Sequence, residues 1–407
     1  MAVGPSEVLF MSENAVLQHA LAAVDKDYIL SIRRQLHMYP EIGFDLPKTQ
    51  ALIRRELDAM GISYTEAYGK SSIVGFINPE SKGFSIGLRA DTDALPLTEK
   101  TDLPFASRHE GKMHACGHDA HTAMLLGAAK ALKSVEAALS CKVVLIFQAC
   151  EEGEFSGAKL LVEDGVCELF DVIVGIHVEN WLESGTVGIC PGAAMAASRP
   201  IRIEFFGKTA HATLPQSGIN ALAMAVETYT QLNGMLATEI NPLEKYVCTV
   251  GKLHSGTTVN VLPDYAEMCI SLRTYDKNTE KRIVDKIRAI AQNAAERRGG
   301  TIAFHGDAKA LPLINHPTVS QKVLDSAAKL LGSDKVVAMP QKLSSEDFSF
   351  YADRKPGAFL RLGTRNAEKG CVTLPHNNDF LLDEDALPIG SSTFVQFVLD
   401  NMNGIEL

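Results

Sequence analysis

Acidic and imidazole side chains follow three apolar runs of the chain, at the point where each run ends. The runs are continuous and β-rich, as strands buried on both faces of a parallel sheet are. Sites in open parallel sheets form outside the carboxyl ends of the strands. The sequence therefore predicts one site built from the residues that follow these runs: Asp91 and Asp93 after 84–90, Glu151 and Glu152 after 142–149, and His177 after 171–176.

The adjacent pair Glu151 and Glu152 indicates a metal. A glutamate pair is most often a solvated loop, but this pair follows an apolar strand and precedes Gly153, so we expect at least one carboxylate to point into a cleft. Two buried like charges are costly unless a cation neutralises them. A metal with one Glu as ligand and the other as proton shuttle resolves this conflict. Cys116 and His118 lie just before a predicted helix; alone, such a pair would be a core thiol and a hydrogen-bonded imidazole.

The elements that must position these residues alternate between strand and helix, as in α/β domains. In the first half we predict helices at 14–36, 47–60, 119–135 and 156–165. From about residue 198 the order becomes β-α-β-β-α-β, the ferredoxin-like unit, with strands 199–207, 245–254, 264–274 and 300–305 and helices 219–237 and 277–298. The α/β pattern then returns, with a helix at 317–332, a strand at 358–362 and a helix at 385–402.

This order predicts an α/β catalytic domain with a mostly parallel central sheet, interrupted by an inserted ferredoxin-like α/β sandwich. The predicted boundaries are 11–197 and 310–407 for the catalytic domain and 198–309 for the insertion. The first ten residues, MAVGPSEVLF, precede a second Met and are left out of the fold prediction.

Composition excludes several classes of protein. With 407 residues the chain is too long for one typical core. Its net charge of −10 argues against nucleic acid or an anionic membrane as partner. No apolar run reaches the roughly 20 residues of a membrane helix, and no secretory signal is recognisable. The eight Cys have irregular spacing, which favours reduced thiols and a cytoplasmic location.

Beyond these residues, the sequence resembles the metallopeptidase family that contains hippurate hydrolase, bacterial N-acyl-amino-acid amidohydrolases and plant indole-acetyl-amino-acid hydrolases. The resemblance spans nearly the whole chain. Its segments run from LHMYPEIGF (36–44) through GLRADTDALPLTE (87–99), HACGHDAHTAMLLGAA (114–129), FQACEEGEFSGAKLLVEDG (147–165), GIHV (175–178), GKTAHA (207–212), SGTTVNVLPD (255–264) and SSEDFSFY (344–351) to LPHNNDFLLDEDAL (374–387).

The resemblance implies five metal ligands, which are Cys116, His118, Glu152, His177 and His376. Cys116 would bridge two divalent ions, with Glu152 and His376 completing one site and His118 and His177 the other. The mixed sulfur, nitrogen and oxygen set suits Zn²⁺, with Mn²⁺ or Co²⁺ as alternatives. We therefore expect two metal ions per chain.

The other expected roles also come from the resemblance. Glu151 falls on the general base, and Asp91 on a position that orients a ligand His. In the inserted domain, His211 falls on the histidine that contacts the oxyanion, and Asn260 and Arg273 on the residues that bind the substrate carboxylate. By residue type alone, Arg273 could equally be an exposed sheet-face charge and His211 an ordinary loop histidine. Three further histidines stay unassigned: His37, His114 and His121.

Together these features predict a two-metal hydrolase that cleaves the amide bond of N-acyl amino acids to a carboxylic acid and a free amino acid. We expect a homodimer in which the inserted domain serves as lid and dimerisation domain and His211 reaches the partner's site. The alternatives are a metal-dependent dipeptidase or aminopeptidase and a non-catalytic metal-binding protein. The acyl group, the amino acid and the native metal stay open.

Overall fold

The computed structural model describes residues 12–407 except Glu154, and these residues form two compact units. The predicted domain start at residue 11 and the segment MAVGPSEVLF lie outside the described residues. The first unit comprises the chain up to Ala194, Ile314–Pro340 and Asp347–Leu407. The second comprises Met195–Leu313 and Gln341–Glu346. The second unit therefore interrupts the sequence of the first, mainly by one long insertion as the fold-class prediction states, and also by the short segment Gln341–Glu346.

The first unit is built on an eight-stranded sheet of order β1-β2-β4-β3-β5-β16-β6-β15. Its four central strands, β4-β3-β5-β16, are parallel, and nearly all their residues are buried. Strands buried on both faces need apolar residues at successive positions, which explains the continuous apolar runs. The strands are β1 Ser63–Thr65, β2 Ile73–Ile77, β3 Ser85–Asp91, β4 Lys142–Gln148, β5 Val172–Glu183, β6 Val187–Ile189, β15 Val336–Ala338 and β16 Gly357–Arg365.

Helices cover this sheet. Helix His118–Lys133, which is almost entirely buried, packs against helices Lys26–Met38 and Leu387–Asn401. The single helix predicted at 14–36 is wrong: there are two, because Asp25 caps a new helix by accepting from the Tyr28 amide at 3.1 Å. Within the part of the unit that the structure describes, the α-helices are Glu13–Ala22, Lys26–Met38, Pro47–Met60, His118–Lys133, Gly157–Glu163, Pro317–Leu331, Ser349–Ala352 and Leu387–Asn401.

The second unit has a four-stranded antiparallel sheet of order β10-β12-β8-β13 and two long helices. This order is that of the ferredoxin-like sandwich, so the predicted fold class is confirmed. One face of the sheet buries Ile201, Ile203 and Phe205 against the helices. The elements are β8 Arg199–Phe206, β10 Tyr246–Ser255, β12 Tyr265–Thr274, β13 Thr301–His305 and helices Ala221–Glu239 and Lys277–Glu296.

Four very short strands complete the chain, and none of them was predicted. Strands β9 Ala210–His211 and β11 Val261–Leu262 pair with each other in the second unit. The other two are β7 Gly192–Met195 and β14 Leu313–Asn315. Among the described residues, no helix combines the length and the apolar character that crossing a membrane requires.

Candidate active site

The segment before helix His118–Lys133 is shaped by Gly117. Gly117 has a φ of 85°, and a Cβ at this position would lie 2.4 Å from Cγ2 of Val178. Only glycine fits a left-handed conformation at such a close approach. The tight turn brings the buried side chains of Cys116 and His118, on either side of Gly117, close to His177 at the neighbouring strand β5.

The five predicted ligands fall into two groups that share Cys116. In the first group, Sγ of Cys116 lies 3.4 Å from Nε2 of His177, and a ring nitrogen of His118 completes a set within 4.8 Å. In the second group, Nε2 of His376 lies 3.0 Å from Oε1 of Glu152, and both lie within 4.8 Å of the Cys116 sulfur. Each group offers three ligand atoms around one small volume, as a metal requires.

The buried ring of His118 fits a metal ligand in a further way. Neither of its nitrogens has a hydrogen-bond partner among the described residues, although buried polar atoms normally have one. Burial by itself would lower the pKa of His118, but the carboxylates of Asp91, Asp93 and Glu152 raise it to about 10. Without a metal, a proton on His118 thus supplies the positive charge that these carboxylates need. A bound cation would replace that proton.

The thiol of Cys116 would also lose its proton to a bound cation. Burial raises its pKa well above the ordinary value, and the carboxylates of Glu152 and Glu151 raise it further. A thiol is a strong metal ligand only as the thiolate. Burial also keeps the pKa of His177 well below its ordinary range, so its imidazole is neutral. Its Nδ1 donates to the Val178 carbonyl at 2.6 Å, which leaves the lone pair on Nε2. This set of one thiol, imidazoles and a carboxylate therefore fits divalent cations.

Glu151 and Glu152 stand side by side but face different neighbours. A carboxylate oxygen of Glu151 lies within 4.8 Å of the ligand atoms of both His118 and Glu152. The backbone amides of the pair donate to one side chain, Asp93, at 3.0 and 3.1 Å. Burial would raise the pKa of Glu152, but the hydrogen bond from His376 and the charge of His118 lower it.

Asp91 and His121 form a hydrogen-bonded pair next to the candidate ligands. Asp91 Oδ1 lies 2.6 Å from Nδ1 of His121, and the Val178 amide donates to Nε2 of the same ring at 2.9 Å. Nε2 must therefore be the acceptor and Nδ1 the protonated nitrogen. This leaves His121 no lone pair for a metal, although its ring lies in a cluster with Asp91 and His118. Asp91 Oδ2 lies 3.7 Å from Nε2 of His118, so its closest imidazole contact is with His121.

A buried charged network joins the strands that carry these residues. Arg89 donates to Asp91 at 2.7 Å, to the side chain of Gln148 at 2.9 Å and to Asp347 at 2.9 Å. Asp347 also accepts from the Ser156 hydroxyl at 2.8 Å and from the Ala158 amide at 3.1 Å. The network thus fixes both ends of the loop that carries the two glutamates, because Gln148 ends β4 and Ser156 begins the next helix.

The predicted substrate-binding residues lie in the second unit. His211 is exposed in the short β9–β11 pair, where Nδ1 lies 2.7 Å from the Thr213 hydroxyl. Asn260 is its neighbour there, since the Ala212 amide donates to the Asn260 carbonyl at 3.0 Å. Arg273 on β12 is half-buried and donates to the Ser345 hydroxyl at 3.0 Å. His211 and Asn260 are therefore brought together. Among the described residues of this unit, Arg273 has a hydrogen bond to a neutral hydroxyl and no ion pair with a carboxylate.

Comparison with known protein families shows to which family the chain belongs. The sequence model of peptidase family M20/M25/M40 matches residues 87–400. The chain belongs to this family. The predicted resemblance is thereby confirmed, and the chain is a metal-dependent amidohydrolase that acts on linear amides.

Several named proteins are similar to the chain. Thermostable carboxypeptidase 1 of Saccharolobus solfataricus is 36% identical over 370 residues, which cover 90% of this chain and 93% of that protein. IAA-amino acid hydrolase ILR1-like 4 of Arabidopsis thaliana is 36% identical over 370 residues, covering 90% and 84%. N-acetyl-L-cysteine deacetylase of Bacillus subtilis is 36% identical over 369 residues, covering 90% and 86%.

A solved structure from the family is similar over nearly all of both chains. It is the YXEP protein of Bacillus subtilis, described as a dinuclear metal-binding peptidase of the M20 family. The two chains have 32% sequence identity and superpose with a TM-score of 0.77. The match covers 92% of this chain and 98% of the YXEP chain. The prediction that the chain binds metal agrees with this family.

Two histidines that sequence left unassigned in this M20 chain form a separate buried cluster. Nδ1 of His37 lies 2.7 Å from Asp119, and its Nε2 lies 3.1 Å from Glu99. His114 is buried with no hydrogen-bond partner for either nitrogen among the described residues, and burial lowers its pKa to about 3. His114 is therefore a neutral ring in the core.

Two buried residues that support the candidate site were given no role by the sequence. One is Asp93, which sequence placed at the sheet edge but gave no role. The other is Asn180, which lies three residues after His177 on β5 and is fully buried. An amide side chain on a buried strand signals specific hydrogen bonds, and this signal could have identified Asn180. Its partners, backbone carbonyls nearly two hundred residues away in sequence, could not have been found in this way.

Proposed function

We propose that the chain hydrolyses N-acyl amino acids to a carboxylic acid and a free amino acid, with two divalent cations bound per chain. The observation that carries the proposal is the pair of three-residue ligand groups that share Cys116. A thiolate common to both groups would hold two cations close together, as two-metal hydrolases require. The names of the Bacillus deacetylase and the Arabidopsis hydrolase support the substrate class.

The chain's own residues would divide the metal ligands between two positions. Cys116, His118 and His177 would hold one cation, and Cys116, Glu152 and His376 the other. The mixed donor set favours Zn²⁺ or Mn²⁺, with Co²⁺ as an alternative. When bound, such cations make water acidic enough to ionise near neutral pH and polarise the scissile carbonyl.

Glu151 is placed to move the proton. Its carboxylate lies within 4.8 Å of the ligand atoms of His118 and Glu152, so it is near the cations without being needed to complete either group. It would accept the proton of the attacking water and pass it to the nitrogen of the leaving amino acid. In the second unit, His211 would stabilise the developing oxyanion, and Asn260 and Arg273 would bind the substrate carboxylate. Asp91 would hold His121, whose Nε2 accepts from the Val178 amide in the middle of β5.

Two substitutions at adjacent positions test these roles. Glu151→Gln keeps the shape of the side chain but cannot accept the proton, so it should abolish turnover and leave the metal content nearly intact. Glu152→Gln should instead reduce the metal content, because Glu152 and His376 form one ligand group. Metal analysis and release of free amino acid from N-acetyl amino acids measure both effects. A Glu151→Gln enzyme with near-normal kcat would overturn the assignment of the base.

A second candidate is peptide hydrolysis, since a similar protein is named a carboxypeptidase. Acyl and aminoacyl amides can be cleaved by the same machinery. A dipeptidase or aminopeptidase needs an acidic partner for the free amine of its substrate, whereas an acyl group needs an apolar pocket. A panel of N-acetyl, N-benzoyl and indole-acetyl amino acids, set beside free and N-blocked dipeptides, separates the two. Preference for free dipeptides would favour the second candidate.

We also propose a cytoplasmic homodimer that pairs through the second unit. Strand β10 lies at the edge of its sheet, and edge strands can pair with a second chain. Val247 and Leu253 on this strand are exposed.

The eight cysteines form no disulfide, which fits a reducing compartment. The net charge of −10 supports a small-molecule substrate over nucleic acid or an anionic membrane.

A further inference from the structure

A single buried carboxylate touches three residues of the proposed metal site. Asp93 is 1% exposed and lies two residues after the end of β3. Its Oδ1 accepts from the backbone amide of Glu151 at 3.0 Å, and its Oδ2 accepts from the amide of Glu152 at 3.1 Å. One carboxylate thus holds the backbone of both glutamates.

The same carboxylate faces His118. Its Oδ1 lies 3.4 Å from Nδ1 of the ring, whose Nε2 lies 4.0 Å from Oε1 of Glu152. The two nitrogens of His118 therefore face different carboxylates: Nδ1 faces Asp93, and Nε2 faces Asp91 at 3.7 Å as well as Glu152. A carboxylate beside the second nitrogen of a ligand histidine fixes the ring and its protonated nitrogen. With Nδ1 facing Asp93 at 3.4 Å, Nε2 is the nitrogen that His118 would offer to a cation.

The loop that carries the glutamates has other supports. The Gly157 amide donates to the Cys150 carbonyl at 2.9 Å, and the hydroxyl of Ser156 donates to Asp347 at 2.8 Å. Cys150 itself has a φ of 58°, so the chain turns sharply just before the pair. These contacts close the loop without Asp93. Loss of the Asp93 carboxylate would then release the two glutamates and the His118 ring while the rest of the loop stays in place.

We propose that Asp93 is a positioning residue that fixes the base Glu151 and the ligands Glu152 and His118 in place relative to one another. This inference rests on the proposed function for the roles of these three residues. Asp93 acts through them and does not touch the substrate. Because its two oxygens hold consecutive amides, its removal would disturb metal binding and proton transfer together, whereas a purely structural carboxylate would disturb only folding.

Asp93→Asn tests this proposal, because Asn keeps the size but replaces one acceptor oxygen with an NH₂ group that cannot accept from an amide. Asp171→Asn is the matched control. Asp171 accepts from the amide and hydroxyl of Ser85 at 2.8 and 2.7 Å, at the opposite end of β3. Both variants lose a carboxylate that accepts from a backbone amide, but only Asp93 lies at the site.

Three quantities are measured for each variant. They are the affinity and visible spectrum of Co²⁺ added to the chelated protein, kcat and KM for an N-acetyl amino acid at saturating metal, and the urea midpoint of the chelated protein. For Asp93→Asn we expect Co²⁺ affinity and kcat each to fall about 10- to 100-fold, with KM little changed and a shifted Co²⁺ spectrum. Asp171→Asn should keep wild-type spectrum and kcat. Asp93→Glu, which keeps the charge at a displaced position, should recover part of the Co²⁺ affinity.

A wild-type spectrum and wild-type kcat in Asp93→Asn, with only the urea midpoint lowered, would overturn the proposal. If Asp93→Asn does not fold, Asp93→Glu carries the same test: a spectrum and kcat equal to wild type would overturn it and a shifted spectrum with lowered kcat would support it. The proposed function fails separately. In that case the wild-type protein releases no amino acid, and the effect of Asp93→Asn on the Co²⁺ spectrum still decides the role of Asp93.

Discussion

Asn180 donates one hydrogen of its side-chain amide to the backbone carbonyl of Thr373, at 2.7 Å. The other hydrogen goes to the carbonyl of Leu381, also at 2.7 Å, and the Thr364 hydroxyl donates to the amide oxygen. Thr373 and Leu381 are the two ends of the loop that carries His376. Asn180, on the strand of His177, therefore ties that loop to the first unit's sheet.

Asn180→Asp should weaken the metal position formed by Cys116, Glu152 and His376. The carboxylate would face two carbonyl oxygens in place of donating to them, and buried unsatisfied groups cost about 1–3 kcal/mol each. We expect the protein to keep one tightly bound metal and to lose most of the second, measured by metal analysis after dialysis. Asn366→Asp, in the neighbouring turn where Asn366 binds Asp383, is the control. Full retention of both metals in Asn180→Asp would contradict the role of this tie.

Arg273→Gln should weaken substrates that carry a free α-carboxylate far more than their amides. A charge-assisted hydrogen bond contributes about 1.5–3 kcal/mol, which corresponds to about a tenfold to hundredfold loss of kcat/KM for the acid. Arg202→Gln, on the adjacent strand β8 where Arg202 pairs with Glu204, is the control and should leave the acid-to-amide ratio unchanged. Equal losses for acid and amide substrates of Arg273→Gln would remove Arg273 from the substrate site.

The stability of the chain should depend on pH through His37 and Asp119. Burial alone would lower the pKa of His37, but the charge of Asp119 raises it above its ordinary 6.5. A raised pKa contributes stability that is fully present below about pH 6.5 and is lost as the pH rises through the raised value. Burial alone would raise the pKa of Asp119, but Arg33 and His37 lower it, so its own contribution is present above its ordinary 3.8.

Asp119→Asn should therefore cost more free energy of unfolding near pH 6 than near pH 9. The variant removes one of the two carboxylates that contact His37, the other being Glu99. Near neutral pH the loss should be about 2 kcal/mol or more, because Arg33 also loses its fully buried partner Asp119. Urea unfolding of the chelated protein at the two pH values measures this without a contribution from metal. The account of His37 is wrong if the destabilisation is the same at both values.

A homodimer with shared sites predicts complementation between two inactive chains. If His211 works in the partner's site, His211→Ala and Glu151→Gln are each inactive alone, but a mixed dimer has one intact site. Random pairing makes about half of the dimers mixed, so co-expression should restore roughly a quarter of wild-type activity. If His211 acts within its own chain, the activity of the mixture stays at background although both variants are folded and metal-loaded.

Much of the fold could be predicted because local signals were strong. Helix Pro47–Met60 has Pro at its first position and Gly61, with a φ of 64°, at its end, and its predicted bounds agree with the structure. Strand β5 extends to Glu183, well beyond the predicted 176, because polar residues such as His177 and Asn180 are buried on it. The short strands β1, β2, β6 and β15 are held by pairing with distant strands, which no local pattern reveals.

The site was predictable to the extent that residues lie at strand ends. The glutamate pair and His177 follow apolar runs, so their convergence could be inferred, and the geometry brings the five expected ligands together. The roles of Asp93 and Asn180 depend on backbone groups of segments that are distant in sequence. Hydrogen bonds to such groups carry no residue-type signal, so only the folded chain identifies them.

The dependence of hydrolysis on added metal decides whether the chain is a two-metal hydrolase. The protein is stripped with a chelator, dialysed, and titrated with Zn²⁺, Mn²⁺ or Co²⁺ while release of free amino acid from an N-acetyl amino acid is followed. The two ligand groups that share Cys116 predict no activity in the stripped protein and a rise to a plateau at about two equivalents per chain. Activity that survives stripping, in protein shown to hold no stoichiometric metal, would contradict the account.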